Sequence, residues 1–134
     1  METLILKVDK SSEGYKKLDI AARIIKEGGL VAFPTETVYG LGGDAKNPKS
    51  CKKIYKAKGR PSDNPLIVHI AEFRQLEDIV EEVPDTAREL ADAFWPGPLT
   101  MILKKNKVIP KLLIFALIAN VNTTATTYIG KVLK

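Results

Sequence analysis

Short apolar runs alternate with amphipathic stretches along most of this chain, and that alternation is what most restricts the fold. Leu4–Val8 predicts an opening strand. A helix follows, capped by Ser11 or Ser12, with Leu18, Ala21, Ala22 and Ile25 at helical spacing and Gly28-Gly29 as its stop. Leu30–Phe33 predicts the next strand, which runs directly into a Thr-, Tyr- and Gly-rich turn. Asn47-Pro48 opens a second helix, with Cys51, Ile54 and Tyr55 on one side and Lys49, Lys52, Lys53 and Lys56 on the other. Leu66–Ile70 predicts a buried strand, and Glu72–Val80 and Asp85–Phe94 predict acidic helices. In the second of these, Leu90, Ala93 and Phe94 form an apolar stripe. Trp95–Pro98 breaks the pattern, and Leu99–Leu103 reads as a strand. The result is an α/β (α+β-like) domain, a twisted open sheet with flanking helices.

At 134 residues there is room for one domain, and 45% hydrophobic residues suffice for a core. With 28% charged residues the chain reads as a soluble folded protein and not a disordered one. Cys51 is the single cysteine, which excludes an intramolecular disulfide and a cysteine-rich zinc site and fits a cytoplasmic setting. No secretory signal is visible, because the opening apolar run is short and begins acidic. The net charge of +5 divides unevenly. Residues 1–92 hold all 16 acids and 15 of the 21 Lys and Arg, a net of −1 against +6 beyond. Within the body, positive charge gathers at Lys46, Lys49, Lys52, Lys53, Lys56, Lys58 and Arg60. Such a cluster attracts phosphates or RNA; an ordinary solvated lysine face explains the first five equally well.

Two stretches carry chemistry. In Lys58–His69, Lys58 and Arg60 are cations one residue apart in a bend stiffened by Pro61 and Pro65, with Gly59 letting backbone approach a ligand. Cations already in place lose little freedom when a polyanion arrives. Lys58 lies four residues after Ile54, so it emerges near the inner helix face and apart from the other lysines. In Leu30–Gly43, a strand opens onto Thr35, Glu36, Thr37 and Tyr39, and strand ends of this kind are where open α/β sheets place ligands. His69, the one histidine, shares a strand face with Ile67. Taken alone it reads as a hydrogen-bonded core residue before it reads as a ligand contact.

The ordered motifs F-P-T-E-T-V-Y-G-L-G from Phe33, A-K-x-R-P-x-x-N-P-L-I-V-H-I from Ala57 and W-P-G-P-L-T from Trp95 resemble the YrdC-like family of threonylcarbamoyl-AMP synthases. That resemblance implies a nucleotidyltransferase joining L-threonine, bicarbonate and ATP into threonylcarbamoyl-AMP with release of pyrophosphate. The product feeds a tRNA threonylcarbamoyl-transfer machinery that modifies adenosine. Carried over residue by residue, Lys58 and Arg60 are catalytic and contact phosphate, and Asn64 contacts the nucleotide. Thr35, Thr37, Tyr39 and His69 form the threonine pocket. No permanent cofactor is implied; magnesium comes with ATP.

The resemblance covers residues 1–110, the N-terminal part of a YrdC-like domain. Residues 111–134 read as a divergent tail, rich in Thr and Asn over Asn120–Thr127, where an abrupt loss of pattern without acids suggests a reading-frame slip or early end. The apolar part of this tail is far shorter than the roughly 20 residues that span a bilayer, so no membrane is expected. Alternatives remain open at this point. They are a non-catalytic module binding double-stranded RNA or nucleotide, an inactive truncated copy, and a carbamoyl-adenylate module of the kind found in longer carbamoyltransferases.

Overall fold

Helix α1 (Ser12–Lys26) begins where Ser11 Oγ accepts a hydrogen bond from the Gly14 amide at 3.0 Å, leaving Ser12 inside the helix. The Ser11 hydroxyl also donates to the Asp9 carboxylate, and that bond holds the Asp9 carboxyl below its ordinary range. Leu18, Ala21, Ala22 and Ile25 are all buried, as their spacing requires. The computed structural model describes residues 3–9, 11–35, 38–59, 61, 64–113 and 116–119, the last four by backbone alone.

Strands β1 (Val31–Pro34) and β2 (Tyr39–Gly42) form an antiparallel hairpin in which Phe33 pairs with Gly40 and Pro34 with Tyr39. Helix α2 (Pro48–Lys58) has Asn47 as its cap, with Oδ1 accepting from the Lys49 amide at 2.9 Å. It ends at Gly59, whose φ of 59° is left-handed, the conformation a helix needs to stop without a Cβ clash. A side chain at Gly59 would meet no protein atom within 4 Å, so the left-handed φ of the cap is what favours glycine here.

A second sheet contains β3 (Ile67–His69), β4 (Thr100–Leu103) and β5 (Ala116–Ala119) in the order β3-β5-β4. Strand β5 runs parallel to β3 and antiparallel to β4. Between β3 and β4 lie the short helix α3 (Arg74–Glu77) and helix α4 (Asp85–Phe94). Together the mixed strands and flanking helices make an open-sheet α/β fold. The main core gathers Cys51 from α2, Val68 and Ile70 around β3, Leu76 from α3, Ala87 and Ala91 from α4, Met101 from β4, and Ile109 and Leu113 before β5. Ile109 and Leu113 therefore contribute core side chains, and Ala116–Ala119 the central strand.

The structure corrects four sequence expectations. Residues 3–9 form no strand; Leu4 and Ile5 are 60% and 83% exposed, and no described ladder pairs with them, so apolar character alone is insufficient. The Leu66–Ile70 strand is half-buried: Val68 and Ile70 face the core while Ile67 and His69 face out. In α4 the buried pair is Ala87 and Ala91, which leaves Leu90 and Phe94 exposed. Two small residues one turn apart let this helix lie close on the core, an advantage hydrophobicity alone does not reveal. Finally, the Gly-rich segment after Tyr39 is a strand and not a turn.

The lysine face of α2 is not uniform. Lys53 Nζ donates to the Gly28 carbonyl at 2.7 Å, tying α2 to the C-terminal end of α1, where a cation also meets the favourable end of the helix dipole. Lys53→Met is expected to lower unfolding stability by about 1 kcal/mol, whereas Lys52→Met, on the exposed face, stays within about 0.5 kcal/mol. Parallel urea titrations check this, and equal effects would remove the tether from the account.

Candidate functional site

A cavity of about 970 Å³ opens between the hairpin, the end of α2 and strand β3. Three of the site residues expected from the sequence line it: Thr35, Lys58 and His69. Each arrives by a different local device. Thr35 leaves β1 at the hairpin end, where its amide donates to the Val38 carbonyl at 3.0 Å and its Oγ1 accepts from the Val38 amide at 3.2 Å. Lys58 is the last residue of α2, so the helical repeat sets where its stem leaves the helix. Strand alternation turns His69 outward with Ile67, opposite the buried Val68.

Two other expected site residues do not line the cavity. Tyr39 is 75% exposed and pairs with Pro34, on the hairpin face opposite Phe33 and Gly40. Asn64 is exposed in the turn where its amide donates to the Pro61 carbonyl at 3.3 Å, next to Pro65, which does line the cavity. Thr37 and Arg60, with Glu36, lie outside the described residues.

Phe33, Gly40 and Gly42 line the cavity and were missed as functional positions in the sequence. A Cβ at Gly42 would stand 2.8 Å from Phe33 Cε1, and one at Gly40 would stand 3.0 Å from Cε2. Both glycines therefore make room for the Phe33 ring. That ring meets the His69 ring edge-on, with centroids 6.4 Å apart and planes at 77°. The signal available in the sequence was the alternation Gly40-Leu41-Gly42 directly after an aromatic strand.

The cavity carries both signs of charge, with Lys26, Lys46 and Arg74 alongside Asp44, Glu77 and Asp78. Among the described residues no carboxylate is ion-paired with Lys58, while Arg74 is engaged by Glu72 at 2.6 Å. Cys51 also lines the cavity, but it is 1% exposed. Burial first, and the Asp44 carboxylate second, push its thiol above the ordinary value of 9.0. A thiol held protonated in this way is a poor nucleophile near neutral pH. Among the described residues no group of three His, Cys, Asp or Glu could hold a metal ion, and no helix is long and apolar enough to cross a membrane.

An ammonium, a hydroxyl and an imidazole around one cleft can orient a small polar molecule and neutralise an anion. The chain is an open-sheet α/β domain with a cleft lined by these three groups. The chain belongs to the Sua5/YciO/YrdC family, whose model, described as telomere recombination, matches residues 23–128. Threonylcarbamoyl-AMP synthase from Pyrococcus abyssi is 54% identical over 111 residues, covering 83% of this chain and 32% of that protein. The Bacillus subtilis threonylcarbamoyl-AMP synthase is 57% identical over 95 residues, covering 71% of this chain and 28% of its own length. In three dimensions the chain is similar to a crystal structure of P. abyssi Sua5 complexed with L-threonine. The TM-score is 0.91 and the identity 45%, covering 98% of this chain and 39% of that one. The chain thus spans about a third of the length of the curated relatives it matches.

Proposed function

We propose that this chain carries the cleft of a threonylcarbamoyl-AMP synthase, a nucleotidyltransferase acting on L-threonine, bicarbonate and ATP. The observation that carries this reading is the meeting of Thr35, Lys58 and His69 around one cavity. The fold that holds them is that of a protein complexed with L-threonine. In the proposed reaction the threonine amine combines with bicarbonate to give a carbamate, with loss of water. A carbamate oxygen then attacks the α-phosphorus of ATP, the bond to the β-phosphate oxygen breaks, and pyrophosphate leaves.

This chemistry asks little covalent work of the protein. It needs the carbamate held in line with the phosphorus and cations placed on the phosphate oxygens. Lys58 supplies one such cation from the cavity wall, and Arg60 is proposed as the second, since a guanidinium can grip two oxygens at once. The Thr35 hydroxyl and the His69 imidazole suit the hydroxyl and carboxylate of the amino acid. Thr37 and Tyr39 are proposed as further threonine contacts and Asn64 as a nucleotide contact. Magnesium enters as part of the MgATP substrate. The product would pass to a tRNA-modifying threonylcarbamoyl transferase, and the free buried thiol of Cys51 fits a reducing, cytoplasmic setting.

Pyrophosphate release from MgATP is the test, with threonine and bicarbonate each omitted in turn. Release that requires both is expected. Release indifferent to threonine would overturn the reading. Salt-sensitive RNA binding with no release would favour a binding module built on the lysine face of α2.

A further inference from the structure

We propose that Phe33 is a positioning residue: its ring, seated in space left by Gly40 and Gly42, sets where the His69 imidazole stands in the cavity. The inference rests on the reading of this cleft as a threonine site, and it adds a residue that does not itself supply a polar contact.

His69 is not fixed by burial. It lies on the exposed face of a three-residue strand, and among the described strands β3 is at the edge of its sheet. Phe33 comes from the other sheet, so the contact at 6.4 Å and 77° is a link between the hairpin and β3. Edge-to-face pairs have a preferred geometry, because the electron-poor rim of one ring is drawn to the face of the other. A ring that is itself held can therefore hold its neighbour.

Phe33 is held. A methyl group at Gly42 would approach Cε1 to 2.8 Å, and one at Gly40 would approach Cε2 and Cζ to 3.0 and 3.1 Å. The ring has no room to settle deeper onto the hairpin once either glycine carries a side chain. It would have to shift, and its contact with His69 would shift with it. Phe33, Gly40, Gly42 and His69 all line the same cavity, so this displacement occurs at the ligand site.

The test compares Phe33→Leu, Phe33→Tyr and Gly42→Ala by NMR and by separate titrations with L-threonine and with MgATP. His69 is the one histidine of the chain, so its imidazole proton signals are read without ambiguity. Phe33→Leu is expected to move those signals and weaken L-threonine binding by about two- to twelvefold, with MgATP binding unchanged. Phe33→Tyr, which keeps the ring, restores both readouts. Gly42→Ala keeps the ring but displaces it, and so moves the signals and weakens threonine binding in the same direction. Unmoved His69 signals in both Phe33→Leu and Gly42→Ala would overturn the proposal, as would an equal loss of threonine and MgATP binding. If the unaltered protein binds no threonine, the reading of the cleft fails, while the His69 signals still decide whether Phe33 positions the imidazole.

Discussion

Leu76→Ala is expected to destabilise the protein by about 2–5 kcal/mol, a large part of the roughly 5–15 kcal/mol that holds a domain of this kind together. Leu76 is 0% exposed and is among the largest fully buried side chains. It sits in the four-residue helix α3, whose backbone alone provides little cooperativity, so packing must hold that turn in place. It belongs to a core to which α2, β3, α4, β4 and the segment before β5 also contribute. Removing most of the side chain therefore opens a cavity in that core. Urea unfolding would measure the loss, with Leu76→Met as the volume-conserving control, expected to cost less than about 1.5 kcal/mol. A loss below about 1 kcal/mol for the alanine variant would mean that this core is not the one that carries stability.

Lys58→Ala is expected to behave in the opposite way, with a large loss of MgATP binding and little loss of stability. A hydrogen bond from an ammonium to a phosphate oxygen contributes about 1.5–3 kcal/mol, which corresponds to roughly ten- to hundredfold in affinity. Lys58 is exposed, and among the described residues it has no ion pair to break, so unfolding should register only the lost cation at the helix end. That effect is about 0.3–1 kcal/mol. Calorimetric titration with MgATP, paired with a melting curve, separates the two quantities. An unchanged affinity with a lowered melting temperature would make Lys58 a structural residue.

The contrast between these two variants follows a division between features set within a few residues and features set by packing across the fold. Helix α1 was legible down to its cap and buried face, because Ser11, the Leu18-to-Ile25 spacing and Gly28 act within a few residues of one another. Helix α2 was legible for the same reason at its Asn47 cap and along its buried face, but its stop at Gly59 was not. Placing Lys58 apart from the other lysines needed only the helical repeat. Lys53 was different. Its spacing puts it among solvated lysines, and only the approach of α1 gives its ammonium a carbonyl 25 positions earlier in the chain.

Strands were harder. Leu4–Val8 has strand composition but no ladder among the described residues, whereas Tyr39–Gly42 has turn composition and forms one. A strand exists only where another strand satisfies its amides and carbonyls, and that partner is not encoded nearby. The same holds at the site. Residue types and order marked each short segment by its stiffness and charge, and only the motifs shared with the family suggested that the hydroxyls, two cations and an imidazole belong together. Only the tertiary structure decided that Thr35, Lys58 and His69 share a cavity, that Tyr39 faces away from it, and that the Phe33 ring reaches His69. Those facts depend on how separate segments pack, with Phe33 and His69 standing 36 positions apart (69 − 33), and local pattern does not set that.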